Sequence, residues 1–385
     1  MSQAAQKIQL STIDRLTPAA DRDRVDLDLA EFFDDARRAY AANPHVGPLF
    51  RHLAEFVLRG GKRLRPRLCL ASYRILTGRY DPPPRPVALA AASLEVFHAF
   101  MLVHDDLIDG SVTRRGRPTL HEAIRLDAER PDEPAERKRA GDLGLIAGDL
   151  LCALGMRLLG RSGLDDAALG RANRLVADML LETGLGEALD VLYDDCPLEH
   201  LSEDQLVESY LRKTARYSVS GPLVLGATLA GAEGPVSRAL DRFGDLLGFG
   251  FQVQNDLDAL DEDPEDGDQP DLDAGKRTYV LWAAYQGLDE AGRRELNEAL
   301  GLPIGLDRRR KLLALIAESG AVEACRARLD GVRREAVDVL REAPLSPAQR
   351  RQFVELTEMF RATRRAIARV ADSLKFPESS PCPPR

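Results

Sequence analysis

Apolar residues recur three or four positions apart in VDLDLAEFFDDARRAYA (residues 25–41), RLVADMLLETGLGEALDVLY (174–193) and REAVDVLREA (334–343). That spacing lays a hydrophobic stripe along one face of an α-helix. Alternating runs of β-branched residues are scarce, and glycine and proline gather at the gaps, as in TGRYDPPPRP. The pattern predicts an all-α fold of roughly ten or more helices, with long members lining a central cavity. DAERPDEPAERKRAGD (127–142) is charged, holds two prolines, and reads as an exposed loop. Residues 1–24 and the Pro-rich end 375–385 show no periodicity and read as mobile tails flanking a single domain, 25–374. The segments from Arg308 to Leu374 are amphipathic without a chemical motif and read as scaffold. No apolar run approaches the ~18 residues of a membrane span, and no internal repeat is found.

Composition narrows the class. The 385 residues are 44% hydrophobic, enough to fill a sizeable core. A net charge of −9 argues against a broad electrostatic footprint for nucleic acid, so basic residues act locally. Five cysteines, odd in number and without a CxxC pair, fit reduced thiols in a cytoplasmic protein and argue against zinc. The N-terminus has no charged-then-apolar leader pattern, so a soluble protein is expected.

The chemistry concentrates at Asp105, Asp106 and Asp109, with Arg114 and Arg115 close behind. On a helix Asp105 and Asp109 share a face and Asp106 sits beside them, so like charges crowd unless a cation joins them. Carboxylates of this kind suit Mg2+, which completes its shell with water and substrate phosphate oxygens, so a polyphosphate substrate is expected. A second acidic region runs from Phe251 to Thr278. Within it Gln252, Asn255, Asp256 and Ala259 fall at helical spacing and can face the first cluster across a cavity, while Asp261 to Asp268 read as a solvated run. GGKRLRP (60–66) puts cations beside flexible glycines where backbone can approach an anion, yet it is no P-loop, since GxxxxGK[ST] is absent. Lys213, Thr214 and Tyr217 add a further cationic stretch. His98 precedes Asp105 by seven residues, about two helical turns, and so shares its face. His104 reads equally as an orienting donor or as packing.

In this order, GGKRLRP, EVFHAFMLVHDDLID followed by RRGRPTLH, AGDLL, the Lys213-Thr214 pair, FQVQND and DLDAGKRT resemble the trans-isoprenyl diphosphate synthase (polyprenyl synthetase) family, from about Phe50 to Leu281. The resemblance implies the isoprenoid synthase fold, a bundle of mostly antiparallel helices around an apolar cavity, and a homodimer. It implies that Asp105, Asp106 and Asp109, with Asn255 and Asp256 opposite, hold Mg2+ on an allylic diphosphate touched by Arg114. Lys62, Arg65, His98 and Arg115 would bind isopentenyl diphosphate. Lys213, Thr214, Tyr217, Gln252 and Lys276 would surround the allylic group and its departing diphosphate. Phe100 and Met101, one turn before Asp105, would set chain length, and their bulk implies a C15–C20 product, with geranylgeranyl diphosphate favoured over farnesyl diphosphate.

Three features, at four positions, depart from the family pattern. Asn255 and Ala259 stand where carboxylates are usual, Gly267 where a lysine is usual, and Glu187 where a glutamine is common. Asn255, Ala259 and Asp263 loosely resemble the metal triad of class I terpene cyclases, which need no isopentenyl site, so Lys62, Arg65 and His98 discriminate between the two. The altered second motif also leaves open a catalytically reduced subunit that partners an active synthase.

Overall fold

A computed structural model describes residues 16–261, 272, 275–302 and 305–357. The chain runs through α1 (Ala19–Tyr40), α2 (Val46–Leu58), α3 (Leu64–Thr77) and α4 (Arg85–Ile108). A two-stranded hairpin follows, β1 (Thr113–Arg114) and β2 (Arg117–Pro118). Next come α5 (Leu120–Leu126), α6 (Pro134–Gly160), α7 (Asp166–Asp194) and α8 (Glu203–Tyr210). A π-helical segment (Leu211–Ser220) leads into α9 (Gly221–Leu229) and α10 (Pro235–Asp258). The remainder is α11 (Tyr279–Gly287), α12 (Glu290–Leu300), α13 (Leu306–Ser319), α14 (Ala321–Glu342) and α15 (Pro347–Leu356).

Local chemistry explains many of these boundaries. Asp165 accepts from the Ala168 amide at the start of α7, and Ser202 and Ser346 form reciprocal capping boxes with Gln205 and Gln349. Pro134 begins α6, where its missing N–H is no loss. This corrects the reading of residues 127–142 as loop throughout, because the second half is the first two turns of α6.

All three periodic segments singled out in the sequence lie in helices, α1, α7 and α14. Helices α4 and α6 pack side by side. They approach closely because Gly148 presents no side chain; a Cβ there would lie 2.1 Å from His104 Nε2. One core cluster joins α1, α2, α4 and α6 through residues such as Phe33, Leu53, Val96 and Leu151. A second joins α3, α9, α10, α14 and α15 through Leu68, Leu223, Phe243 and Phe353.

Two expectations change. By length and composition, α4 and α6 are apolar enough to cross a membrane, which the sequence reading did not anticipate. The apolar stretch of α4 is 72% buried, so its hydrophobicity serves the core, whereas that of α6 is only 44% buried. The N-terminal reading is corrected too. Leu16 is fully buried and α1 starts at Ala19. Asp21 forms a bidentate pair with Arg74 of α3, at 2.5 and 2.6 Å, with both groups buried. Residues 16–24 therefore belong to the folded domain, held by a fork-to-carboxylate pair. The C-terminal tail, 375–385, lies outside the described residues.

Removing one partner of a buried pair strands the other charge. Asp21→Ala should cost about 3 kcal/mol, read as a lower urea midpoint at unchanged slope; a midpoint within error of the parent would show that Arg74 does not depend on Asp21.

Candidate active site

The aspartates end α4 and face a cavity of about 1770 Å3 lined by α2, α3, α4, the hairpin, α7, the π-helical segment and α10. Asp105 and Asp109 line it; Asp106 turns inward and is buried. Arg114 donates from Nε to Asp106 at 2.7 Å and from Nη2 to Asp105 at 2.8 Å. The hairpin delivers it there. Its two-residue turn, Arg115-Gly116, has φ of +54° and +68°, the positive values a type I′ turn requires at both positions.

Two lysines complete the neutralisation. Lys213 Nζ lies 2.6 Å from Asp190, 2.9 Å from Glu187 and 3.5 Å from Asp105. Lys276 Nζ lies 2.9 Å from Asp109 and 3.5 Å from Asp190. Although burial opposes it, the Asp190, Glu187 and Asp105 carboxylates hold Lys213 well above its ordinary pKa, so it is charged. Lys213 sits on the π-helical segment, a local widening often found at functional sites. That segment comes close to α7 at Gly186, where a Cβ would lie 2.1 Å from the Lys213 backbone nitrogen.

A second polar group shares the cavity. Lys62, Arg65, His98 and Arg115 all line it. Arg65 donates to Ser218 Oγ at 2.7 Å and lies over the Tyr217 ring at 4.4 Å, while the His98 and Tyr217 rings are 5.9 Å apart. Burial first, then Arg65, Arg115, Arg114 and Arg63, pushes His98 well below its ordinary pKa. The imidazole is therefore neutral at neutral pH in a pocket rich in cations.

The polyprenyl synthetase family model matches residues 48–312. The chain belongs to the polyprenyl synthetase family. It is 28% identical to a geranylfarnesyl diphosphate synthase of Aeropyrum pernix over 77% of its own length and 88% of that protein's. To a geranylgeranyl diphosphate synthase of Sulfolobus acidocaldarius it is 30% identical, over 63% and 68% of the two chains. A crystal structure of geranylgeranyl pyrophosphate synthase from Corynebacterium glutamicum, complexed with isoprenyl diphosphate and magnesium, superposes with a TM-score of 0.80 at 29% identity, covering 91% of this chain and 99% of that one. The all-α isoprenoid synthase fold expected from the sequence is the fold observed.

Within this polyprenyl synthetase the second motif is arranged like the first. Asn255 lines the cavity, and Asp256 turns inward. Tyr210 donates to Asp256 at 2.5 Å, and Gln252 Nε2 donates to it at 3.1 Å. Thr214 Oγ1 donates to Gln252 Oε1 at 3.0 Å. Thus Asp106 and Asp256, both expected as metal ligands, are anchored in the protein, and Asp105, Asp109 and Asn255 face the open space. The donor set suits a hard cation: Asp105 and Asp109 offer carboxylate oxygens one turn apart. Among the described residues no group of three or more His, Cys, Asp or Glu side chains could hold a metal ion, so any such cation would need substrate and water oxygens to complete its shell.

The structure separates the two chain-length candidates. Met101 lines the cavity, whereas Phe100 is half-buried against the neighbouring cluster, its ring edge-on to His104 at 4.9 Å. Gly267, Asp263 and nearly all of the Asp261–Asp268 run lie outside the described residues. Sequence reasoning missed Asp190, the residue that joins both lysines; its signal is the spacing of Glu187 and Asp190, which puts two carboxylates on one face of α7. It also missed Arg308, which lines the cavity from α13, in a region read as scaffold.

Asp190 shares two lysines and is held below its ordinary pKa against the effect of burial. Glu187 has only Lys213 and is pushed up to about 7, burial winning. Between its ordinary 4.5 and about 7 the folded protein keeps a proton that the unfolded chain has released, so Glu187 reduces stability as pH rises through that window. Glu187→Gln should therefore be more stable than the parent at pH 8, with the difference vanishing toward pH 4.5. Paired urea titrations at the two ends of that range check this, and a pH-independent difference would contradict it.

Proposed function

We propose that this protein is a magnesium-dependent short-chain trans-prenyl diphosphate synthase that condenses isopentenyl diphosphate with an allylic diphosphate to a C15–C20 product, geranylgeranyl diphosphate favoured. One observation carries the reading: a single cavity is lined both by the Asp105–Asp109 face with Arg114, Lys213 and Lys276, and by the separate Lys62, Arg65, His98 and Arg115 group. A condensing enzyme needs two anion sites on one reaction space. A class I cyclase needs one.

Asp105 and Asp109 would hold magnesium, which when bound would supply Lewis-acid neutralisation of the leaving group. The chain's own cations act alongside it. Arg114, Lys213 and Lys276 neutralise charge building on the allylic diphosphate as the carbon–oxygen bond breaks. Lys62, Arg65 and Arg115 fix the isopentenyl diphosphate, with neutral His98 as a hydrogen-bond partner, so that its alkene meets the allyl cation. Thr214, Tyr217 and Gln252 border the reacting groups. The proton lost after carbon–carbon bond formation goes to the departing diphosphate, so no protein base is needed. Holding both substrates in register is worth up to about 7–11 kcal/mol of barrier for well-aligned pairs. Met101, which lines the cavity, is the residue that would meet the growing tail.

We further propose that the enzyme is a cytoplasmic homodimer. Support comes from the apolar side chains exposed on α6 and α7: Leu145, Ile146, Met156, Leu181, Leu185 and Leu192. An unpartnered apolar face of this kind marks an association surface. The reduced-subunit reading draws on Asn255 and Ala259, and on the likeness, at 27% identity, to a heptaprenyl diphosphate synthase component 2 of Geobacillus stearothermophilus. The intact first motif with both arginines favours an active enzyme.

Purified protein given magnesium, labelled isopentenyl diphosphate and C5, C10 or C15 allylic primers should make chain-extended diphosphates, and chelation should stop it. A hydrocarbon or alcohol from primer alone would instead mark a cyclase, and silence without a partner protein a subunit. Asp105→Ala should lower turnover by about 100-fold or more, the scale of losing a group that stabilises charge in the transition state; near-parental turnover would sink the assignment. Met101→Ala should lengthen the product, and an unchanged product spectrum would count against Met101 as the floor.

A further inference from the structure

Arg63 is the one residue of GGKRLRP whose side chain is buried and charged and yet has no part in the reading above. It is 5% exposed, and its backbone is left-handed, with φ and ψ both near +46°. A residue with a Cβ takes that conformation only where its surroundings hold it there. Three acceptors do so. Nε donates to Asp26 of α1 at 2.7 Å, Nη1 to Glu95 of α4 at 3.0 Å, and Nη2 to the Val57 carbonyl of α2 at 3.0 Å. Each guanidinium nitrogen is thus occupied by the protein itself, and each acceptor comes from a different helix.

Those acceptors locate the loop relative to the isopentenyl pocket. Glu95 lies one turn before His98 on α4, and both line the cavity. Lys62 directly precedes Arg63, and Arg65 follows two residues later, so one anchor fixes the backbone that carries both cations. Without it, Gly60 and Gly61, at φ of +84° and +147°, would leave the loop with little conformational restraint. A rigid support beneath a binding group is what keeps that group within the tolerance that binding needs.

We propose that Arg63 is the positioning residue of the isopentenyl diphosphate site, and that through Asp26 the N-terminal helix α1 braces that site. The proposal rests on the synthase reading. It predicts selectivity: the cations on the allylic side, Arg114 and Lys213, come from the hairpin and the π-helical segment, and their partners are Asp105, Asp106, Glu187 and Asp190, none of which is bonded to Arg63.

The test compares KM for isopentenyl diphosphate and for a C15 allylic primer in the parent, Arg63→Gly, Arg63→Lys and Asp26→Asn. Glycine keeps the left-handed backbone and removes only the side chain. Arg63→Gly should raise the isopentenyl diphosphate KM by about tenfold or more, the scale of losing charge-assisted hydrogen bonds, with the primer KM changed less than about twofold. Arg63→Lys, which keeps the charge but not the fork, should recover part of the loss. Asp26→Asn, at a part-exposed position that does not threaten folding, should raise the same KM by about threefold and decides the matter if Arg63→Gly does not fold. Equal shifts in both KM values, or none in either, would overturn the role of Arg63 while leaving the synthase reading standing. A parent protein silent with every primer would remove both.

Discussion

Like charge on one helix face is the constraint around which the molecule is arranged. Asp105 and Asp109 end α4 a single turn apart, and two unit charges about 4 Å from each other interact by roughly 4 kcal/mol at the effective dielectric of a protein surface. The protein offsets this with Arg114 from a hairpin, Lys213 from a π-helical segment and Lys276 from the irregular stretch before α11. Asp190 on α7 then binds both lysines. The chain of contacts Asp105–Lys213–Asp190–Lys276–Asp109 closes a ring across four parts of the sequence. In the proposed synthase the same cations would meet the diphosphate, so binding would exchange one set of anionic oxygens for another instead of bringing new charge into a dry site. Preorganised groups of this kind need little rearrangement when charge develops.

The two acidic motifs obey a common rule in which the first residue faces the cavity and the second faces the protein. Asp106 is fixed by Arg114, and Asp256 by Tyr210 and Gln252. That rule gives the departures in the second motif a physical meaning. Asn255 removes one negative charge from the cavity wall, while Glu187, also on that wall, places a carboxyl beside Lys213. Asp256, the residue that holds Gln252 and thereby Thr214, is unchanged.

Much of this was legible in the sequence because it depends on local spacing. Helical periodicity found α1, α7 and α14, and the family motifs picked out, in chain order, residues that line one cavity. What was missed depends on partners far away along the chain. Asp21 looks like any charge in a polar tail until Arg74, 53 residues on, is seen to need it. Pro134 reads as a breaker unless the helix is known to start there. Asp190 carries no signature beyond its distance from Glu187, and its importance comes from two lysines on other elements. Phe100 and Met101 are adjacent, so helical geometry sends them about 100° apart, and only packing decides which one meets the cavity.

Helix α7 has to satisfy two environments at once. Its inner face carries Glu187 and Asp190 against Lys213, and its outer face exposes Leu181, Leu185 and Leu192. The exposed Leu145, Ile146 and Met156 of α6 add to that apolar surface, and α6 is the helix against which α4 lays His104, the residue directly before the aspartates. Burying such a surface contributes on the order of 25 cal/mol per Å2. That gain falls on the helices whose other faces set the position of the charged ring. In the proposed homodimer a partner covering α6 and α7 would therefore also brace the site, tying association to chemistry through two helices.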